Sequence, residues 1–264
     1  MSVKKEASGR RSVQVEVEVP GTPEQVWEVI ATGPGISSWF VPAEIREDHT
    51  VVLNFGPGME SAAKCTAWDP PHRFATESEG WPPGAPPMAT EWSVEARSGG
   101  TCVVRVVHSL FASTDDWDNQ LESTESGWPT FFRILKHYLT HFRGQPSAAV
   151  HVNAMADGPV SKAWNDLTTG LGLANPAGAN RYNTNAGAPA LAGIVESTAD
   201  TEHPHLLLRL DEPAPGAAHI TACSMGGPQV FLSASVYLYG DRAKAIAERE
   251  EPHWNAWMKE RFGG

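Results

Sequence analysis

The segment that constrains the fold most is a helix-patterned stretch over residues 117–143, the longest in the chain. Gly127-Trp128-Pro129 interrupts it, and a proline inside a helix removes a backbone hydrogen bond and predicts a kink. A long bent helix with an aromatic face needs a sheet to cover that face. We therefore expect a curved antiparallel sheet that grips the helix, with a small apolar ligand held between them. The apolar side chains recur at steps of three and four residues, which places them on one helical face: Leu121, Trp128, Phe131, Phe132, Leu135, Leu139 and Phe142.

The residues before this helix supply the sheet. Residues 12–20 alternate valine with polar side chains, which predicts a half-buried strand. Thr22 and Pro23 then predict the start of a helix, and a second short turn carries Trp39 and Phe40. Six segments of strand length follow, mostly separated by turn residues: 43–47, 51–55, 62–68, 73–79, 90–97 and 102–111.

The second half of the chain repeats this order. Residues 27–36 align with 164–173 at an offset of 137, and residues 96–111 align with 223–238 at 127. Trp128 pairs with Trp254 at an offset of 126. A shrinking offset indicates a duplication whose second copy lost about ten residues in its middle. We expect a flexible tail over 1–11, a complete domain over 12–144 and a degenerate domain over 145–264.

Composition excludes several functions. A net charge of −11 argues against contacts with nucleic-acid phosphates and with an anionic membrane surface. No apolar run reaches the length of a membrane span, and the N-terminus lacks the apolar block of a signal peptide. Three cysteines without a CxxC pair indicate neither a disulfide framework nor a metal site. We expect a cytoplasmic protein with no cofactor and no metal, and leave a homodimer open.

The order of one strand, two small helices, a run of strands and a long helix resembles the helix-grip fold, of class α+β. The segment PEQVWEVI, the turn with Trp39, and Gly127-Trp128 followed by spaced apolar residues resemble the SRPBCC (START/Bet v 1-like) superfamily. Within it, the chain is similar to the branch named after the activator of Hsp90 ATPase homologue 1, here in tandem copies. The resemblance implies a hydrophobic cavity between sheet and helix, but no particular reaction.

The candidate ligand-binding residues lie in the first copy, which holds seven of the ten tryptophans. A proline-rich connection over 81–88 offers Trp81 and Met88 as a lid, or serves as a rigid spacer or dimer contact. Glu125 on the long helix either reaches the cavity mouth or belongs to a solvated face. His137 and His141 have metal-ligand spacing, but they fall off the apolar face. The full predicted set is Trp39, Phe40, Phe55, Trp68, Trp81, Met88, Trp92, His108, Glu125, Trp128 and Phe132.

His108 is the polar side chain with the clearest functional potential. Strand alternation places it on the inner face beside valines, where a histidine orients a ligand or acts as acid or base near neutral pH. A core histidine bonded to a neighbouring group is the alternative, and Ser235 is its expected counterpart in the second copy. Three functions follow: a carrier of a small hydrophobic molecule, a cyclase/aromatase-like or related lyase enzyme that uses His108, and an interaction protein like a chaperone activator.

Overall fold

The structure is a computed structural model that describes residues 3–56, 58–80, 85–112, 114–174, 178–199, 204–224 and 228–263. The chain divides into two compact units, Met1–Arg143 and Gly144–Gly264. Each unit combines an antiparallel sheet with a long C-terminal helix, so the α+β helix-grip fold and its tandem repetition are confirmed.

Within its described residues, the first unit contains eight strands and three α-helices. Its sheet has the order β1-β2-β8-β7-β6-β5-β4-β3, and α3 packs mainly on β2 and also touches β8. A 3₁₀ turn, Asp115–Trp117, leads into α3. The elements are β1 (Lys4–Lys5), β2 (Arg10–Pro20), α1 (Pro23–Ile30), α2 (Gly33–Ser37), β3 (Ala43–Ile45), β4 (Val51–Asn54), β5 (Glu60–Asp69), β6 (Arg73–Ser78), β7 (Met88–Arg97), β8 (Thr101–Phe111) and α3 (Asp118–His141).

The second unit is a shortened copy whose described part has six strands in the order β9-β14-β13-β12-β11-β10. Its helix α5 packs against β9 and β14, and α4 packs against β13 and β14. The shortened middle of this unit contains the three-residue strand β10. The elements are β9 (Ser147–Asp157), α4 (Val160–Leu171), β10 (Arg181–Asn183), β11 (Ala192–Ala199), β12 (His205–Glu212), β13 (Gly216–Ser224), β14 (Gln229–Tyr239) and α5 (Ala243–Phe262).

The first helix begins where the sequence predicts. Thr22 is the N-cap of α1, and its hydroxyl oxygen accepts from the Gln25 backbone N–H. The Gln25 side chain accepts in return from the Thr22 N–H, which completes a capping box. The turn after α2 then places Trp39, whose indole N–H donates to the Val29 carbonyl oxygen at 3.1 Å. The ring is thereby fixed in the interior at 1% exposure.

The N-terminal segment corrects the prediction of a flexible tail over residues 1–11. Lys4 and Lys5 form β1, which pairs with Ser12 and Arg11 of β2. The guanidinium of Arg11 donates to Asp118 at 2.6 Å and to Asp115 at 2.7 Å. These carboxylates at the start of α3 lie more than a hundred residues along the chain from Arg11, so the tail sequence by itself does not reveal the contact.

Helix α3 runs as one helix through Pro129. Helix α3 carries five apolar side chains at successive steps of seven, four, three and four residues, and each is at most 7% exposed: Leu121, Trp128, Phe132, Leu135 and Leu139. We call these five residues the apolar stripe of α3. At the N-terminal end of the stripe, Leu121 packs in a small cluster with Val13 and Leu110. The stripe is therefore buried along its length, and Trp128 and Phe132 within it contact Trp92 of the sheet.

Replacement of Leu121 with alanine tests how the stripe stabilises the first unit. Leu121 is completely buried, so the cavity left by Leu121→Ala is expected to lower the free energy of unfolding by about 2–5 kcal/mol. Urea denaturation followed by tryptophan fluorescence measures the change. Glu122→Ala, at an exposed position on the same helix, is the control and is expected to stay within about 0.5 kcal/mol of the parent. Equal losses in the two variants would contradict this packing.

Candidate functional site

Five of the predicted aromatic side chains meet in the interior of the first unit. Trp128 of α3 lies at the centre, with its ring 5.1 Å from Trp92, 5.3 Å from Phe40 and 5.4 Å from Phe132. The centre of the Trp39 ring lies 6.4 Å from that of Trp128. Edge-on and tilted contacts at such distances are favourable for aromatic pairs. We call these five residues the aromatic cluster.

Other predicted residues lie around this cluster or away from it. Phe55 is 40% exposed and touches Phe40 at 5.9 Å. Trp68 stacks on His49 at 4.1 Å and packs against Trp27 of α1, at a different part of the interior. Met88 packs against the cluster of Val13, Leu110 and Leu121 instead of covering the aromatic rings. Trp81 and the start of the proposed lid lie outside the described residues.

Two aromatic contacts were missed at the sequence level. Phe131 meets Phe40 edge-on at 4.6 Å, although it lies beside the apolar stripe on the helix and is only half-buried. Phe74 is buried and stacks on Trp92 at 6.2 Å. The alternation along β6 predicts an inward Phe74, but its partner depends on the pairing of β6 with β7.

His108 lies beside Trp128, and both of its ring nitrogens have protein partners. The Trp128 indole N–H donates to His108 Nε2 at 2.7 Å, and His108 Nδ1 lies 3.0 Å from the Thr90 hydroxyl oxygen. An indole N–H is only a donor, so Nε2 carries no proton, and Nδ1–H donates to Thr90. Burial lowers the pKa of His108 from 6.5 to about 4. His108 is therefore neutral and holds Trp128 in place, as a core histidine does.

Strand register shows a feature that no single segment of the sequence displays. His108 of β8 pairs with Thr90 of β7, Thr90 with Thr76 of β6, and Thr76 with Cys65 of β5. Residues directly opposite in a sheet share a face, so these four side chains form one line across the inner surface. We call them the polar row. Thr76 is only 5% exposed, whereas Thr90 and Cys65 are half-buried.

Glu125 faces the same interior from α3. It lies four residues after Leu121 and three before Trp128, which completes the spacing of the apolar stripe. On one side of Glu125 along the helix, Leu121 packs with Val13 and Leu110. On the other side, Trp128 is hydrogen-bonded to His108. Glu125 therefore lies over the sheet between these two contacts. Its Oε2 atom is buried and has no hydrogen-bond partner among the described residues. Glu125 is thus half-buried on the inner face of α3, and the solvated face that the sequence left open as an alternative does not apply.

The second unit provides an internal comparison for the polar row. Its five corresponding strands align Val150, Val236, Ala218, Leu208 and Val195 across the inner face. All five belong to the core of that unit. The fold therefore does not require polar groups at this level of the sheet.

Register also corrects the predicted counterpart of His108. Ala234 and Val236 of β14 belong to the core, so Ser235 between them points to the opposite face of the sheet. There its hydroxyl lies 2.9 Å from His151 Nδ1. The alignment of the two copies was off by one residue, which in a strand reverses the direction of a side chain.

No group of three or more His, Cys, Asp or Glu suitable for a metal ion occurs within the described ranges. The rings of His137 and His141 are 5.1 Å apart, and His141 is exposed. No helix in the described part of the chain is long and apolar enough to cross a membrane.

Residues 20–140 match the family model described as activator of Hsp90 ATPase homolog 1-like protein. No curated protein sequence matches the chain significantly.

Solved structures resemble the chain at low identity. The di-domain ARO/CYC BexL from the BE-7585A biosynthetic pathway is 14% identical, with 96% of this chain and 99% of that chain covered and a TM-score of 0.44. DynU16 of the dynemicin biosynthetic locus is 17% identical, with coverages of 94% and 96% and a TM-score of 0.42. The Aha1 dimer from Colwellia psychrerythraea is 19% identical, with coverages of 48% and 95% and a TM-score of 0.39. Likenesses this weak transfer no function.

The state of His108 predicts a pH dependence of stability. The unfolded chain takes up a proton at His108 near pH 6.5, but the folded chain does so only near pH 4. The free energy of unfolding contributed by this group therefore falls as the pH is lowered from 6.5 to 4, by about 3 kcal/mol in total.

The variant His108→Gln isolates this effect. A glutamine accepts from Trp128 and donates to Thr90 but does not titrate. Urea unfolding curves at a series of pH values are expected to show a shallower loss for His108→Gln than for the parent, and all other histidines contribute equally to both. Parallel pH profiles would show that His108 is not held neutral by burial.

Proposed function

Because residues 20–140 form an activator of Hsp90 ATPase homologue 1-like domain of the SRPBCC type, we propose that the first unit binds one small, largely apolar molecule between its sheet and α3. The observation that carries this proposal is the polar row together with the buried, unpartnered oxygen of Glu125. Both face an interior that is otherwise aromatic and aliphatic.

The cost of the unpaired Glu125 oxygen supports a binding role. An unpaired polar group in a folded interior costs about 1–3 kcal/mol, so a fold under no functional demand replaces it with an apolar side chain. The second unit has apolar side chains at the positions of the polar row. At the offset that pairs Trp128 with Trp254, the counterpart of Glu125 is Glu251, which is exposed. An apolar interior with a few placed polar groups is the usual composition of a small-molecule site.

The aromatic cluster supplies the apolar contact surface for the ligand. Burial of about 300 Å² of ligand surface contributes about 7 kcal/mol before the costs of association are subtracted. Phe40 of the cluster touches Phe55 and Phe131, and these two rings are exposed and half-buried, respectively. The apolar interior therefore reaches solvent at this point, which we assign as the entrance.

Catalysis through His108 is the less favoured function. Both ring nitrogens are bonded within the protein, and burial lowers the pKa of His108 to about 4. An acid or base at neutral pH needs a pKa near 7 and a nitrogen open to the substrate. An interaction role like that of a chaperone activator rests on the family's name alone. Homodimerisation and a cytoplasmic location stay predictions.

In this proposal the second domain, over residues 145–264, has a structural role. Its inner face is aliphatic at the level where the first domain has the polar row. A single site per chain is the expected stoichiometry.

Titration with the neutral fluorescent probe N-phenyl-1-naphthylamine tests the proposal. The parent protein is expected to bind it saturably at one site per chain. Thr76→Trp fills the inner face at the polar row and is expected to weaken binding at least about tenfold, equivalent to 1.4 kcal/mol. Glu77→Trp places the same ring on the exposed side of the same strand and is expected to leave binding unchanged.

Circular dichroism and unfolding midpoints establish that both variants are folded. Two outcomes contradict the proposal: a parent protein that shows no saturable signal, and a folded Thr76→Trp variant that binds like the parent. Two sites per chain would show that the second unit also binds.

A further inference from the structure

We infer that the molecule bound in the first unit is an aromatic alcohol or amine, whose O–H or N–H donates a hydrogen bond to the Glu125 carboxylate. This inference rests on the proposed function and specifies its ligand. It starts from the position of Glu125 on the same face of α3 as the apolar stripe, between Leu121 and Trp128.

The protein supplies no cation for Glu125 from the basic residues near the start of α3. The Arg11 guanidinium is committed to Asp118, Asp115 and the Ala112 carbonyl oxygen. Lys5 pairs with the same two aspartates at 2.8 and 3.1 Å. Arg11 and Lys5 are therefore both paired with Asp115 and Asp118. Glu125 Oε2 has no partner within the described part of the chain.

The polar row cannot satisfy Glu125 through His108. Nδ1–H of His108 donates to Thr90, and Nε2 is occupied by Trp128, so this ring has no donor left for a carboxylate. An ionised carboxylate only accepts hydrogen bonds, so the missing partner is a donor. A ligand with its own carboxylate is disfavoured, since it would bring a second negative charge to Glu125.

The surroundings of Glu125 define the rest of the ligand. Trp128 is the next residue of the stripe toward the C-terminus, and its ring contacts Trp92 and Phe132. A flat aromatic body matches these rings, while a donor at its edge reaches Glu125. A site built around a hydrogen-bonding group rejects analogues that lack it, because its own polar atom is then left unpaired.

The test compares three probes of similar shape by calorimetric titration of the full chain: 2-naphthol, naphthalene and 2-naphthoate. The parent protein is expected to bind 2-naphthol at least about tenfold more tightly than naphthalene, and 2-naphthoate no more tightly than naphthalene. Glu125→Leu is expected to abolish the preference for 2-naphthol and to bind naphthalene at least as well as the parent does. Glu122→Leu, at an exposed position of the same helix, is the matched control and should keep the preference.

A second variant covers the case in which Glu125→Leu does not fold. Glu125→Gln has the same shape but replaces one acceptor oxygen with a donor and removes the charge, so the preference is expected to fall at least about threefold. Equal binding of 2-naphthol and naphthalene to the parent, or a preference that persists in both Glu125 variants, overturns the inference while the binding function stands. Failure of both neutral probes to bind the parent saturably would overturn the proposed function and the inference with it.

Discussion

The hydrogen bond from Trp128 to His108 orders the interior of the first unit. It joins the long helix to the middle of the sheet, and Thr90 extends it to the next strand. The donor is an indole, so it fixes the tautomer of the imidazole and leaves the ring neutral. Trp128 in turn sets the positions of Trp92, Phe40 and Phe132, which contact it. A side chain with a plausible catalytic role thus has a structural one.

The two units show what the helix-grip fold needs and what it merely permits. Both have an apolar stripe on the long helix and an apolar inner face on the central strands. Only the first unit has the polar row across that face: His108, Thr90, Thr76 and Cys65. Since the aliphatic version folds into the same topology, the fold itself does not require the polar row. This difference is the main reason to assign binding to the first unit.

The helices and strands could be predicted from local sequence patterns, because the periodicity of a helix or a strand repeats within a few residues. The capping box at Thr22, the valine alternation of β2 and the stripe of α3 all belong to this class. Features that depend on how the strands pair could not be predicted from the sequence. A bulge between Cys65 and Ala67 keeps both Cys65 and Trp68 on the inner face, although simple alternation would separate them.

The same limit explains the errors. Ser235 was assigned to the wrong face because an alignment shift of one residue reverses a strand side chain. The sequence left Glu125 open between the cavity mouth and a solvated face, and the packing of Leu121 and Trp128 on either side of it places Glu125 on the inner face of the helix. The N-terminal residues were expected to be flexible because the partners of Arg11 lie at the other end of the unit.

The sheet of the first unit ends in β1 and β3, strands of only two and three residues. β1 pairs only with Arg11 and Ser12, so most of the outer side of the eleven-residue β2 has no strand partner among the described residues. Unpaired backbone N–H and C=O groups along a strand offer a template for a strand of another chain. Any self-association of the first unit through its sheet is therefore expected at this side of β2.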